Sequence, residues 1–194
     1  MCSHHLVIWH ITIEAVLHRF GICYIVGMSS SVMDDIEQHR RTVRAFMSRD
    51  PFRKRDLTER EVSTFCAALT HDSYTDEATK LQPPRFVEPY ERLEFLGDAV
   101  VELLACEHVF LDTDCMEGEM TDYKKSIVAN EEISKKVQKY GLDIDSAMLV
   151  GHGHRNRDGI SEKMRADAFE ALIGAVYLIY GMDEARRVVR EVLF

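Results

Sequence analysis

The stretch 91-ERLEFLGDAV-100 decides how this chain is read. It has the apolar content of a core helix, with Leu93, Phe95, Leu96, Ala99 and Val100, yet it carries Glu91, Glu94 and Asp98. On an α-helix these acids stand at i, i+3 and i+7, inside an arc of roughly 60°. Like charges stacked on one face repel mildly, so something must compensate them. A solvated face would do this, and so would a divalent cation.

A second stretch repeats the pattern. In 164-MRADAFEALIGAVYL-178, Asp167 and Glu170 are i, i+3 within an otherwise apolar run. Its small residues, Ala166, Ala168, Ala171, Gly174 and Ala175, let another helix approach closely. If the two helices pack, five carboxylates converge. An oxygen-only set suits Mg²⁺ or Mn²⁺ rather than a softer metal. Two such ions are a common device for phosphodiester hydrolysis.

Around these stretches the pattern is helical. Val32, Ile36, Val43 and Phe46 fall at helical spacing over residues 32–48. Thr58 and Glu61 form a capping box that opens a helix through Phe65, Ala68 and Leu69. The Pro-rich LQPPRFVEP, 81–89, breaks the chain before a helix predicted over 90–110. A single helix is predicted over 117–140, closing at Gly141, then a polar loop over 151–159 and a helix pair, 162–180 and 183–194. His152 and His154 in that loop have no Cys beside them and read as solvated. No strand is convincing after residue 32. The fold class is all-α, with residues 33–194 as one domain.

Residues 1–32 differ in tone. They are apolar and β-branched, without a basic start or a clean cleavage site, so a signal peptide fits poorly. Glu14, His18 and Arg19 interrupt them before the ~20 apolar residues of a membrane span accumulate. An upstream start ahead of Met28 or Met33 and a genuine extra helix both remain open. Five cysteines with no CxxC argue against a disulfide framework or zinc and for a reducing, cytoplasmic setting. A net charge of −9 argues against non-specific nucleic-acid binding unless bound cations invert the local sign.

The motifs go further than spacing. ERLEFLGDAV resembles the signature of the ribonuclease III family, and DAFEALIGAVYL, 167–178, resembles the family's second acidic motif. LTHDSY, 69–74, is similar to its Leu-Thr-His-x-Ser motif, and MEGEMTDYKKSIV, 116–128, to the helix between. The resemblance covers about 45–194. It implies a Mg²⁺-dependent endonuclease for double-stranded RNA, with Mn²⁺ able to substitute and two ions per site. It also implies a homodimer whose products carry 5′-phosphates, 3′-hydroxyls and short 3′ overhangs.

By position, the resemblance makes Glu94, Asp98, Asp167 and Glu170 the metal ligands, with Asp98 and Glu170 foremost. Glu91 supports the site and contacts RNA, and Glu117 lies near it. Lys163 neutralises the scissile phosphate, and Phe95 plugs into the partner subunit. Further RNA contact would fall to Lys124, Lys125, Arg155, Arg157 and Arg165. His71 reads as a structural hydrogen-bonder.

Three positions depart from the family pattern: Tyr90 in place of Asn, Asp72 where a base is common, and Ile179 where an acid is common. Typical bacterial members also continue into a double-stranded-RNA-binding domain. A separate RNA-binding protein, a special substrate or a fragmentary chain are the alternatives here. A non-catalytic RNA-binding or ribosome-associated protein is the competing reading, but such members lose acids that this sequence keeps.

Overall fold

The computed structural model describes residues 23–81, 84 and 87–194, with side chains from residue 35 onward. Most of the atypical stretch 1–32 lies outside the described residues. Contacts gather into a compact unit, His39–Phe194. Ten helices are described: α1 Cys23–Met47, α2 Glu59–Ala68, α3 Asp72–Thr79, α4 Glu91–Asp112, α5 Glu117–Val128, α6 Asn130–Tyr140, α7 Ile144–Ala147, α8 His152–Arg157, α9 Glu162–Tyr180 and α10 Met182–Leu193. Among the described residues there is no strand, only one parallel bridge between Thr70 and Leu149. None of these helices is long and apolar enough to cross a membrane.

α9 is the centre. Every residue from Met164 to Val176 is buried, as expected of a helix wrapped on all sides. α4 lies against it, and α2, α6, α7 and α10 pack around them. The crossing of α4 on α9 is unusually close. A Cβ built at Gly97 would stand 1.7 Å from the carbonyl oxygen of Glu170. One built at Gly174 would stand 2.4 Å from that of Leu93. Two backbones therefore meet with no side chain between them.

Local signals explain most helix ends. The Thr58 hydroxyl caps α2 by accepting from the Glu61 N–H, and the Glu61 carboxylate accepts from the Thr58 N–H at 2.7 Å. Gly141 closes α6 at φ 85°, a left-handed position that suits glycine.

Two predicted elements are corrected. The single helix over 117–140 is two, because Ala129 turns extended (φ −64°, ψ 134°). The break sends α6 into the core through Ile133 and Val137, while α5 buries none of its residues. The predicted loop 151–159 contains α8. Its first backbone N–H groups, from His152 and Gly153, donate to the Glu77 carboxylate at 2.9 and 3.0 Å. That cap comes from 75 residues away and has no local signature.

The glycine crossing gives the first expected outcome. Gly97→Ala should destabilise the fold by about 3 kcal/mol or prevent folding, because the methyl group would meet backbone rather than a movable side chain. Urea unfolding of the full chain measures this, and a loss below about 1 kcal/mol would contradict the close crossing.

Candidate active site

The crossing of α4 and α9 carries the acids. Gly97 and Gly174 bring the helices together, so Glu94 on α4 meets Asp167 and Glu170 on α9. One carboxylate oxygen from each of the three lies within 4.8 Å of the others. Glu94 is half-buried, whereas Asp167 and Glu170 are only 6% and 4% exposed.

Burying carboxylates together raises their proton affinity. Glu170 is pushed up to about 8, first by loss of solvent and then by the charges of Asp98, Asp167 and Glu94. Glu94 shifts the same way through burial and Asp167. Glu91 is also raised, by burial and then by Asp72, Glu94 and Asp167.

The other residues singled out from sequence fall as follows. Asp98 is exposed and stands outside the trio, adding its charge to the field at Glu170 and Glu94. Glu117, in the exposed first turn of α5, accepts from the Thr121 hydroxyl at 3.3 Å. Lys163 sits on the site directly, its Nζ 2.9 and 2.7 Å from the two oxygens of Asp167. Lys124 pairs with Glu102 at 3.1 Å, and Arg155 donates to the Met148 carbonyl at 2.9 Å. Lys125 and Arg157 pair on the surface with Asp122 and Asp158.

Arg165 is a correction. It is buried, bound to both oxygens of Asp145 at 2.7 and 2.6 Å and to the Ser134 hydroxyl at 2.7 Å, so it is not a surface cation for RNA. Its place two residues before Asp167 turns it to the opposite side of α9.

His71 caps α3, its Nδ1 accepting from the Ser73 N–H at 3.2 Å, as expected of a structural hydrogen-bonder. Its ring lies between Tyr90, at 5.7 Å, and His154, at 4.9 Å, and burial lowers its pKa. The sequence places Tyr90 at the start of the helix 90–110 and as a departure from the family pattern. In the fold it is buried, its N–H donates to the Thr70 carbonyl at 3.0 Å, and it starts α4. The Pro-rich stretch before it signals the helix start, but nothing in its neighbours along the chain signals the tie to Thr70. Residues 69–71 are tied in turn to Leu149, through Leu149 N–H to Leu69 O and His71 N–H to Leu149 O. These bonds fix where α4 begins and so where its acids point.

Residues 61–194 match the family described as Ribonuclease-III-like. The chain belongs to the ribonuclease III family. It is 36% identical over 142 residues to ribonuclease 3 of Onion yellows phytoplasma (strain OY-M), covering 73% of this chain and 57% of that protein. It is 37% identical over 128 residues to ribonuclease 3 of Bifidobacterium longum (strain NCC 2705), covering 65% and 50%. The chain thus spans about half the length of the curated relatives it matches. A solved ribonuclease III nuclease domain from Campylobacter jejuni, described for structural flexibility in a region involved in dimer formation, is similar with a TM-score of 0.61 at 26% identity. That match covers 71% of this chain and 88% of that one. A second crystal structure of that nuclease domain has the same TM-score at 23% identity and supports the all-α fold.

The three acids fit a hard divalent cation: the donors are all oxygens, drawn from two rigid helices, and two of them are buried without enough solvent to carry their charge.

Raised carboxylate pKa values make a stability prediction. Glu170 binds its proton up to about pH 8 when folded but only to about 4.5 when unfolded, so its contribution is full at low pH and is lost as pH rises. Buried His39, lowered to about 4, contributes the opposite slope below 6.5. The clean window is therefore pH 6.5–8. In chelator, the unfolding midpoint of the protein should fall across that window, and Glu170→Gln should flatten the fall. A parallel slope in the variant would remove Glu170 as its source.

Proposed function

We propose that residues 33–194 form the catalytic domain of an endoribonuclease that cleaves double-stranded RNA. The observation carrying this reading is the trio Glu94, Asp167 and Glu170, held on two helices at a backbone-to-backbone crossing in a chain of the ribonuclease III family. Mg²⁺, or Mn²⁺ in its place, two ions per site, would be held by Glu94, Asp98, Asp167 and Glu170. When bound, such ions activate water and neutralise the leaving oxygen.

The chain's own residues set the geometry. Glu94 and Asp98 come from α4, Asp167 and Glu170 from α9, and neither helix can slide while Gly97 and Gly174 interlock. The burial that keeps Glu170 protonated also leaves it ready to exchange that proton for a cation. Glu91, which feels the charges of Glu94 and Asp167, and Glu117, at the start of α5, would support the site. Water adds to phosphorus and the bond to the 3′ oxygen breaks, with the 3′ oxygen taking a proton. The products are a 5′-phosphate and a 3′-hydroxyl, staggered to leave short 3′ overhangs. A-form duplex is read through its backbone and shape, so a few cations such as Lys163, Lys124 and Arg155 are sufficient for contact.

A homodimer completes the reading. Phe95 is 81% exposed. Ala99, Leu103, Cys106 and Phe110 are exposed as well, and all five share an arc of roughly 80° on α4. This apolar stripe lies beside the acid face of the same helix, so a second copy seated on it brings two sites close together, one for each strand. A separate RNA-binding protein would supply affinity where this domain alone binds weakly.

The test is cleavage of a labelled long RNA duplex at low salt. Mg²⁺ should give short duplex products with 5′-phosphates, and Ca²⁺ should not. Glu170→Gln should lower the rate by at least about a hundredfold while duplex binding persists, since it keeps shape and removes a ligand charge. Wild-type cutting by that variant would overturn the ligand assignment. A protein that binds the duplex and never cuts it would be the non-catalytic, ribosome-associated alternative.

Phe95→Ala should weaken self-association by about tenfold or more, the scale of a buried aromatic anchor. Sedimentation velocity over a concentration series reads this directly. An unshifted dimer boundary would place the interface elsewhere.

A further inference from the structure

Lys163 lies in the first turn of α9, and its Nζ donates to both oxygens of Asp167, at 2.9 and 2.7 Å. Asp167 is almost fully buried, so that ammonium is the dominant counter-charge of its carboxylate. One oxygen of the same carboxylate belongs to the trio gathered within 4.8 Å. A cation ligated through Asp167 therefore arrives at an oxygen that already accepts from Lys163, and the two positive charges compete for that carboxylate. The lysine is built to give it up. Its side chain is 67% exposed, so it can swing into solvent without opening the core. Its charge also acts on Glu94 and Glu170, opposing the rise that burial and the neighbouring acids cause there.

We propose that Lys163 is an exchangeable counter-cation of the acidic site, and that divalent metal loads by displacing its ammonium from Asp167. This rests on the reading of the trio as a metal site. At Asp167 the exchange is balanced without proton transfer: one ammonium–carboxylate pair is broken, one metal–carboxylate bond forms, and the lysine leaves as a cation. The site thus binds metal more weakly than its carboxylates alone would, and the buried Asp167 carboxylate keeps a counter-charge between turnovers. The freed ammonium remains on the rim of the cleft, where an RNA phosphate would arrive.

Mn²⁺ alone is the probe, added to the full chain and followed by the electron paramagnetic resonance of free Mn²⁺. Lys163→Met keeps the length of the side chain and removes the charge. It should bind Mn²⁺ roughly fivefold more tightly than the parent, the size of one partly exposed ion pair. Lys163→Arg, which retains a cation on Asp167, should stay within about twofold of the parent. Thermal unfolding gives a second readout: Lys163→Met should lower the midpoint in chelator and lose that deficit at saturating Mn²⁺. Equal or weaker Mn²⁺ binding by Lys163→Met, with the parent binding normally, would overturn the exchange and leave the metal site standing. Failure of the parent itself to bind Mn²⁺, with Glu170→Gln indistinguishable from it, would overturn the metal site and the exchange together.

Discussion

Contact between two helix backbones at Gly97 and Gly174 is the constraint from which the rest of the structure follows. Residues on the same turns as these glycines carry acids: Glu94 and Asp98 flank Gly97, and Glu170 precedes Gly174 by one turn. Without side chains at the crossing, the helices come close enough for carboxylates on both to share a small volume. A methyl group at either glycine would meet a carbonyl oxygen and push the helices apart. Packing and chemistry are here one geometric fact.

That geometry concentrates negative charge in the most buried helix of the molecule. α9 tolerates it by using its faces differently. On one side Asp167 and Glu170 stand among acids, one held by Lys163 and the other protonated well above the ordinary carboxylate range. On another side Arg165 is held by Asp145 and Ser134, a buried cation satisfied by both charge and hydrogen bonds. Removing either partner of such a pair leaves the other charge stranded, which is why the helix is less adaptable than its small-residue sequence suggests.

The entry to α4 is fixed separately. Tyr90 packs beside His71, the 69–71 segment bonds to Leu149, and Glu77 caps α8. These are long-range ties among loops and short helices. They hold the acid-bearing turn of α4 against α9 from its N-terminal end, while the adjacent flank of α4 is left apolar and open from Phe95 to Phe110. One helix thus presents three surfaces, one buried in the core, one carrying acids and one apolar and exposed.

The sequence by itself determined the helical class, the capping box at Thr58 and the glycine stop at Gly141, because each depends on residues within a turn or two of one another; it marked acids at i, i+3 on two apolar helices, but that Glu94 meets Asp167 and Glu170 rested on how those helices cross. The small-residue stripe of α9 announced a close helix contact. Other features were invisible along the chain. The break at Ala129 was missed because the helical periodicity runs through it, although Asn130, Glu131 and Glu132 are a helix start in retrospect. α8 depends on Glu77, a cap borrowed from another element. Arg165 and Lys163 look alike as surface bases in the sequence, yet one is locked in the core and the other rests on Asp167. Only the tertiary structure decided that difference: two residues along a helix turn a side chain by about 200°, and which side is core depends on what packs there.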